Sequence, residues 1–114
     1  FRVGLWWDFN AVFNRLPLAC VVGEKILCMH GGLSPELTSL AVIRNIVRPC
    51  EPIESGIIVD LIWADPTNKG DGWFQSNRGM SYIFGQTVVH NACRTLGVDL
   101  IIRAHQVLIP LITL

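Results

Sequence analysis

Two histidines end apolar runs that have the length of buried strands. His30 ends the segment KILCMH and is followed by Gly31 and Gly32, and His105 ends the segment DLIIRAH. In layered α/β proteins the carboxyl ends of neighbouring strands form one edge, where sites gather. There a neutral imidazole can bind a divalent metal at about 2.0–2.1 Å, and glycines would let the backbone approach a metal or phosphate. Each histidine alone is more simply a hydrogen-bonded core residue; the pairing of two strand ends makes a metal site an equal alternative.

Two arginines and four aspartates are further candidates for a site. Arg78 lies in the polar loop QSNRGMS, and its planar guanidinium would match two phosphate oxygens; a solvated loop arginine is the simpler alternative. Arg103, two residues before His105, is predicted either as a structural ion-pair partner or as a site residue. Four aspartates could orient an arginine or a histidine, and their spacing does not select among them: Asp60, Asp65, Asp71 and Asp99.

The helices that would support these side chains are indicated by apolar periodicity. Helical spacing predicts one helix in LWWDFNAVFNRLP, ended by its proline, and another in QTVVHNACRTLG, capped by Gly97. His90 is an ordinary residue of the second helix. Ser34, with Pro35 behind it, predicts the start of a further helix that runs to the next proline.

Strand-like runs alternate with these helices along the chain. They are LACVV, KILCMH and VDLIIRAHQ, the last expected to be buried, and Gly23–Glu24 between the first two predicts a tight hairpin. The run IIVDLIW fits either a strand or a helix. ADPTNKGDGW and QSNRGMS are predicted as polar, glycine-rich loops. The mixture predicts an α/β or α+β layered domain.

Composition excludes several classes of function. The 114 residues carry nine basic and nine acidic side chains, so no excess of positive charge indicates binding of nucleic acid. No apolar run approaches the ~18 residues of a membrane-spanning helix. The four cysteines form no Cys-x-x-Cys pair, which predicts reduced thiols rather than a disulfide framework or a structural zinc site. A mean hydropathy of +0.44 is high for a small domain and predicts a piece of a larger protein.

Four segments together resemble the metal-dependent phosphoprotein phosphatases, and most of all their type 1 serine/threonine branch. They are LPLACVVGEKILCMHGGLSPEL, IWADP, GWFQSNRGMSYIFG and DLIIRAHQV, in the family's order over residues 5–107. The resemblance implies a β-sandwich flanked by helices, two divalent metals of the Mn, Fe or Zn type, and hydrolysis of phosphoserine or phosphothreonine esters. It also implies phosphoprotein substrates, a location in cytoplasm and nucleus, and regulatory subunits whose docking groove uses Ile26 and Leu100. We expect the phosphatase-like domain to span residues 1–107 and the apolar tail, 108–114, to depart from the family.

The resemblance also implies roles for individual side chains. The histidines of the family's HGG and RAH motifs ligate the same one of the two metals, and they correspond to His30 and His105. Arg78 corresponds to the arginine that binds the substrate phosphate. Asp65 corresponds to an aspartate that is associated with the site without being a metal ligand.

The chain also departs from the family pattern. Asn77 replaces the aspartate of the DRG motif and Ala64 replaces a serine, and both changes are expected to loosen the positioning of Arg78. The motifs GD-x-HG, GD-x-VDRG and GNHE, which carry the other metal ligands and the general-acid histidine, do not occur in the 114 residues. We therefore expect this segment alone not to hydrolyse phosphoesters. The alternative function is a non-catalytic binding or decoy module made from a truncated phosphatase.

Overall fold

Two small sheets contain the six strands of residues 2–107, the part of the chain that this computed structural model describes. In chain order the strands are β1 (Ala19–Val22), β2 (Ile26–Met29), β3 (Asp65–Pro66), β4 (Trp73–Gln75), β5 (Tyr82–Phe84) and β6 (Leu100–Arg103). The first sheet has the order β1-β2-β6, with β2 antiparallel to β1 and parallel to β6. The second has the order β3-β5-β4, with β5 parallel to β3 and antiparallel to β4.

Four helices complete the described part of the chain: α1 (Val3–Phe13), α2 (Leu40–Arg44), α3 (Ile57–Trp63) and α4 (Gln86–Leu96). The run IIVDLIW, which the sequence left undecided, is α3. Helix α4 ends as predicted at Gly97, whose φ of 71° lies in the left-handed region that glycine adopts without a Cβ clash. The predicted mixed α/β class is confirmed.

The first sheet forms as its sequence predicts, through a tight hairpin. Gly23 and Glu24 both have positive φ, 57° and 62°, and the Lys25 amide donates to the Val22 carbonyl at 3.1 Å. Such a turn suits the right-handed twist of the two strands that it joins. Strand β6 then pairs with the free side of β2 in parallel, which places the carboxyl ends of both strands at one edge.

One apolar cluster is shared by both sheets and by α3 and α4. Leu27 and Met29 of β2 point into it, whereas Ile26 and Cys28 alternate to the other face. The prediction that the β6 run is buried is wrong for one of its faces, because Leu100 and Ile102 are 42% and 50% exposed on this edge strand. The buried members of the cluster are Leu27, Met29, Leu33, Leu37, Leu61, Ala64, Phe84, Leu96 and Val98.

The predicted helix start at Ser34 is wrong. The Ser34 hydroxyl accepts a bond from the Glu36 amide at 3.2 Å and donates to the buried carboxylate of Asp60 at 2.6 Å. The Leu37 amide closes a single turn on the Ser34 carbonyl, and this turn buries Leu37 in the core. The hydroxyl therefore anchors a turn to α3, and the short α2 begins six residues later.

Helix α1 is apolar but exposed. None of its residues is buried, and Trp6, Trp7, Phe9 and Phe13 each expose more than half of their surface. Backbone and side-chain bonds tie the end of α1 to the segment before α3, including the Cys50 amide to the Asn14 carbonyl at 2.9 Å. No helix within residues 2–107 is long and apolar enough to cross a membrane. The predicted tail, 108–114, and the domain boundary before it lie at and beyond the end of the described residues.

Candidate metal and phosphate site

The carboxylate of Asp65 joins two arginines from distant parts of the chain. Its side chain is only 4% exposed; Oδ2 accepts a bond from Arg78 Nε at 2.6 Å, and Oδ1 accepts one from Arg103 Nη2 at 2.6 Å. Short, charge-assisted bonds of this kind are among the strongest hydrogen bonds in proteins. Asp65 begins β3 directly after α3, so the carboxylate is held at the junction of these two elements.

The two histidines meet because β2 and β6 pair in parallel. The Ala104 amide donates to the His30 carbonyl at 3.0 Å, which extends the ladder one step past both strands. His105 then takes a φ of 67°, a conformation that is uncommon for residues other than glycine. His30 Nε2 and His105 Nδ1 lie 3.0 Å apart, with ring centroids separated by 4.9 Å.

The separation of these nitrogens fits two ligands of one metal ion. Two ligand atoms at about 2.1 Å from a metal, and at right angles around it, are about 3.0 Å apart. The other nitrogen of His105, Nε2, is buried without a hydrogen-bond partner within residues 2–107 and lies 4.0 Å from Asp65 Oδ1. Among these residues no group of three or more potential ligand side chains forms. Without a metal, the same 3.0 Å contact is a hydrogen bond in which the tautomers decide which ring nitrogen donates.

The surroundings of His105 favour its neutral form. Burial lowers the pKa of His105, and the nearby Asp65 carboxylate opposes this effect. The charges of Arg78, His30 and Arg103 lower the pKa further. A neutral imidazole is the form that binds metals.

Arg103 connects more of the site than the sequence predicted. Besides its ion pair with Asp65, its Nε donates to the Gly31 carbonyl at 2.6 Å and its Nη2 to the Ala64 carbonyl at 3.3 Å. Its Nη1 donates to Gln106 Oε1 at 2.9 Å. Sequence reasoning left Arg103 open between an ion-pair partner and a site residue; it is an ion-pair partner that joins the segments around three predicted site residues. Its position two residues before His105 was the only feature of the sequence that indicated this role.

The glycines after His30 have neighbours other than those predicted. A Cβ on Gly31 would lie 2.3 Å from the backbone carbon of Ile62, and one on Gly32 would lie 2.6 Å from the Phe84 ring. The Gly31 amide also donates to the carbonyl of Leu61 at 2.8 Å, satisfying a carbonyl near the end of α3. The space that we expected for a metal or a phosphate is filled by protein, so these glycines allow close packing.

The remaining aspartates have other partners. The Asp60 carboxylate accepts bonds from the hydroxyls of Ser34 and Ser81, each at 2.6 Å. Asp71 bonds to the amide and hydroxyl of Thr87 at the start of α4, and Asp99 lies 3.5 Å from the Lys25 amine. Of the four candidates that spacing could not separate, only Asp65 orients arginines among the described residues.

Four further residues named in the sequence analysis lie on strands of the first sheet or near the Arg78 loop. Ile26 and Leu100 are register partners on adjacent strands, on the sheet face away from the core. Of the two residues that depart from the family pattern, Asn77 is exposed, and Ala64 is buried, with its carbonyl bonded to Arg103. Neither change prevents the contact between Arg78 and Asp65.

Two proteins named as serine/threonine phosphatases are similar to this chain. The chain is 61% identical over 107 residues to a Caenorhabditis elegans protein named as a serine/threonine-protein phosphatase, C06A1.3, covering 94% of the chain and 29% of that protein. It is 50% identical over 103 residues to the C. elegans serine/threonine-protein phosphatase PP1-delta, covering 90% of the chain and 34% of that protein. The chain thus spans about a third of the length of these relatives.

A solved structure and a family model extend the comparison. The fold matches a Saccharomyces cerevisiae protein serine/threonine phosphatase with similarity to human phosphatase PP5, with a TM-score of 0.84 and 30% identity over 94% of this chain and 33% of that one. The model of the calcineurin-like phosphoesterases matches residues 1–108, nearly the whole chain. The chain therefore belongs to the calcineurin-like phosphoesterase family.

Proposed function

We propose that residues 1–107 are the C-terminal part of the catalytic domain of a metal-dependent serine/threonine phosphatase, and that 108–114 lie outside this domain. The observation that carries the proposal is the convergence of the HGG, ADP, NRG and RAH segments around Asp65. These four segments bring two imidazoles, two guanidiniums and the Asp65 carboxylate together in one place. Imidazoles that can bind a divalent metal and guanidiniums that can neutralise phosphate charge are one part of the side-chain set that metal-dependent phosphate ester hydrolysis uses.

The two arginines support different parts of this function. Arg78 is about one-third exposed and is held only through Nε, so its two terminal nitrogens have no hydrogen bond within the described residues. They are the donors that we assign to the phosphate oxygens of a substrate. Arg103 uses all three of its nitrogens on protein oxygens, and we assign it to holding the site together.

The histidines are the groups that we assign to a metal. His30 Nε2 and His105 Nδ1 would hold one of the two divalent ions, of the manganese, iron or zinc type, that the family implies. Bound divalent metals would neutralise charge on the phosphate and lower the pKa of the attacking water. The ligands of the other metal and the proton donor for the leaving group are not assigned to any of the 114 residues, so we expect no phosphoester hydrolysis by this segment alone.

The metal assignment is tested by nuclear magnetic resonance on the 114-residue chain. Added Mn²⁺ should broaden the imidazole resonances of His30 and His105 before that of His90, which is exposed on α4. His30→Ala should remove the broadening of His105, and His105→Ala that of His30, whereas His90→Ala should change neither. Equal broadening of all three histidines would contradict the assignment.

The catalytic assignment is tested in a chimera. Residues 2–107 replace the matching segment of C. elegans PP1-delta, and hydrolysis of a phosphoserine peptide is measured with Mn²⁺. We expect activity within about tenfold of the parent and a loss of at least about 100-fold for Arg78→Ala, because a charge-assisted contact to the transition state is removed. Arg94→Ala, at the exposed end of α4, is the control.

The alternative, a binding module, has one observation in its favour. Ile26 and Leu100 pair on the outer face of the first sheet, at the positions that the resemblance assigns to docking of regulatory subunits. A folded but inactive chimera that still binds a type 1 regulatory subunit would support this function in place of catalysis. In that case Ile26→Lys with Leu100→Lys should abolish binding, and Val47→Lys, in an exposed loop, should not.

A further inference from the structure

Two cysteines face each other across the first hairpin. Cys20 of β1 and Cys28 of β2 are register partners in the antiparallel pair. Such partners have Cα atoms about 4.5 or 5.5 Å apart, and disulfides span Cα separations of about 4.4–6.8 Å. Their side chains leave the sheet on the same face. The two sulfurs can therefore be joined without moving the backbone of either strand out of the ladder.

The pair is open to a small oxidant. Cys20 is exposed and Cys28 is half-buried, on the face opposite the core-facing Leu27 and Met29. All four thiols of the chain are free in this structure. Neither Cys50 nor Cys93 lies on a strand of the described residues, so neither has a cysteine as its ladder partner. The hairpin thus holds two of the thiols opposite each other, within reach of a bond between their sulfurs.

We propose that Cys20 and Cys28 are a redox modification site, at which a peroxide converts the two thiols into a cross-strand disulfide. The Cys20 sulfur attacks hydrogen peroxide and breaks its O–O bond, which gives a sulfenic acid and one water. The Cys28 sulfur then attacks the sulfenic sulfur, and the hydroxyl leaves with the Cys28 proton as a second water. Two thiols lose two electrons in total, and one peroxide is reduced to two waters. This inference does not depend on the proposed phosphatase function.

Peptide mapping of the oxidised chain tests the proposal. The reduced 114-residue chain is treated with hydrogen peroxide, free thiols are blocked, and the chain is cut with trypsin. Because Lys25 lies between the two cysteines, cleavage after Arg15, Lys25 and Arg44 separates them into peptides 16–25 and 26–44. We expect these two peptides to remain joined, with the mass of two hydrogens lost, and to separate on reduction. The yield should not depend on protein concentration, as an intramolecular bond requires.

Matched variants distinguish this bond from other thiol chemistry. Cys20→Ser, a change at an exposed position, should abolish the joined peptides, and the double variant Cys50→Ser/Cys93→Ser should retain them. Oxidation in urea, where the hairpin is absent, should lower the share of the 20–28 pair to that which its short loop alone favours. The proposal is overturned if the folded chain gives mainly pairs with Cys50 or Cys93, disulfides between chains, or a Cys20 sulfinic acid without a cross-link.

Discussion

At the scale of single residues, the central feature is one carboxylate that two arginines share. Asp65 fixes Arg78 through Nε, while Arg103 is bonded on three sides. The family resemblance predicted from sequence that Asp65 and Arg78 belong to one site. Spacing alone could not choose Asp65 over the other three aspartates, because the choice depends on contacts between residues 13 and 38 positions apart. The role of Arg103 was undecided for the same reason.

The first prediction concerns this carboxylate. Asp65→Asn should lower the free energy of unfolding by about 2–4 kcal/mol, because it leaves a largely buried guanidinium without its counter-charge. The matched control is Asp99→Asn, which removes an exposed ion pair with Lys25 and should cost less than about 0.5 kcal/mol. Urea unfolding of both variants and the parent chain measures the difference. Equal effects of the two substitutions would show that the ion pairs of Asp65 add nothing to stability.

At the scale of secondary structure, some elements are determined by residues close in sequence and others by contacts with distant residues. The hairpin at Gly23–Glu24 and the end of α4 at Gly97 were predictable, since turn and cap residues act within a few positions of themselves. The sequence around Ser34 is typical of a helix start, but the structure has a turn there, because the Ser34 hydroxyl donates to Asp60, 26 residues away. The packing of the glycines after His30 could not be predicted from sequence for the same reason, because their neighbours belong to the distant elements α3 and β5.

The second prediction follows from that packing. Gly31→Ala should destabilise the chain by at least about 3 kcal/mol, because the new Cβ would meet the backbone of Ile62, which cannot rotate away as a side chain can. Gly4→Ala is the control: nothing lies within 4 Å of its Cβ position, and the change should stabilise α1 by less than about 1 kcal/mol. Thermal unfolding of the two variants should give midpoints that move in opposite directions. A Gly31→Ala chain as stable as the parent would disprove the close contact.

The third prediction concerns the start of α4 and its pH dependence. Bonds from the Thr87 hydroxyl and amide hold the pKa of Asp71 below its ordinary value of 3.8. A carboxyl with a lowered folded pKa adds stability above the unfolded pKa and loses it as the pH falls through the folded pKa. Asp71→Asn should therefore be less stable than the parent at neutral pH, and the gap should close in acid. Thr87→Val should also be less stable at neutral pH, whereas Thr87→Ser should resemble the parent. A gap that stays constant from neutral pH to below 3.8 would contradict the ionised cap.

At the scale of the whole molecule, much apolar surface is uncovered. The mean hydropathy of the chain is high, and α1 and the outer face of the first sheet carry exposed apolar side chains. The sequence could not locate this surface, since helical spacing in LWWDFNAVFNRLP is equally typical of a helix packed on a core. Exposed apolar side chains that lie next to each other favour association.

The fourth prediction is that the isolated chain associates with itself through α1. Sedimentation velocity at increasing concentrations should show oligomers of the parent chain, and Phe9→Lys with Phe13→Lys should shift it toward the monomer. These rings are exposed neighbours on one side of the helix, with centroids 5.9 Å apart. Val47→Lys, at an isolated exposed position, should leave the association unchanged. A parent chain that stays monomeric at all concentrations would contradict this prediction.

The parallel pairing of β2 and β6 has a kinetic consequence. His30 and His105 are 75 residues apart in sequence, and they meet only when the first sheet has closed across nearly the whole chain. Contacts of such long sequence separation form slowly, because closing the loop costs conformational entropy before the contact adds any stability. The hairpin and α4 can form early, from local contacts. Binding of a metal by the two imidazoles would then be one of the last events of folding. Its rate would report when the first sheet is complete.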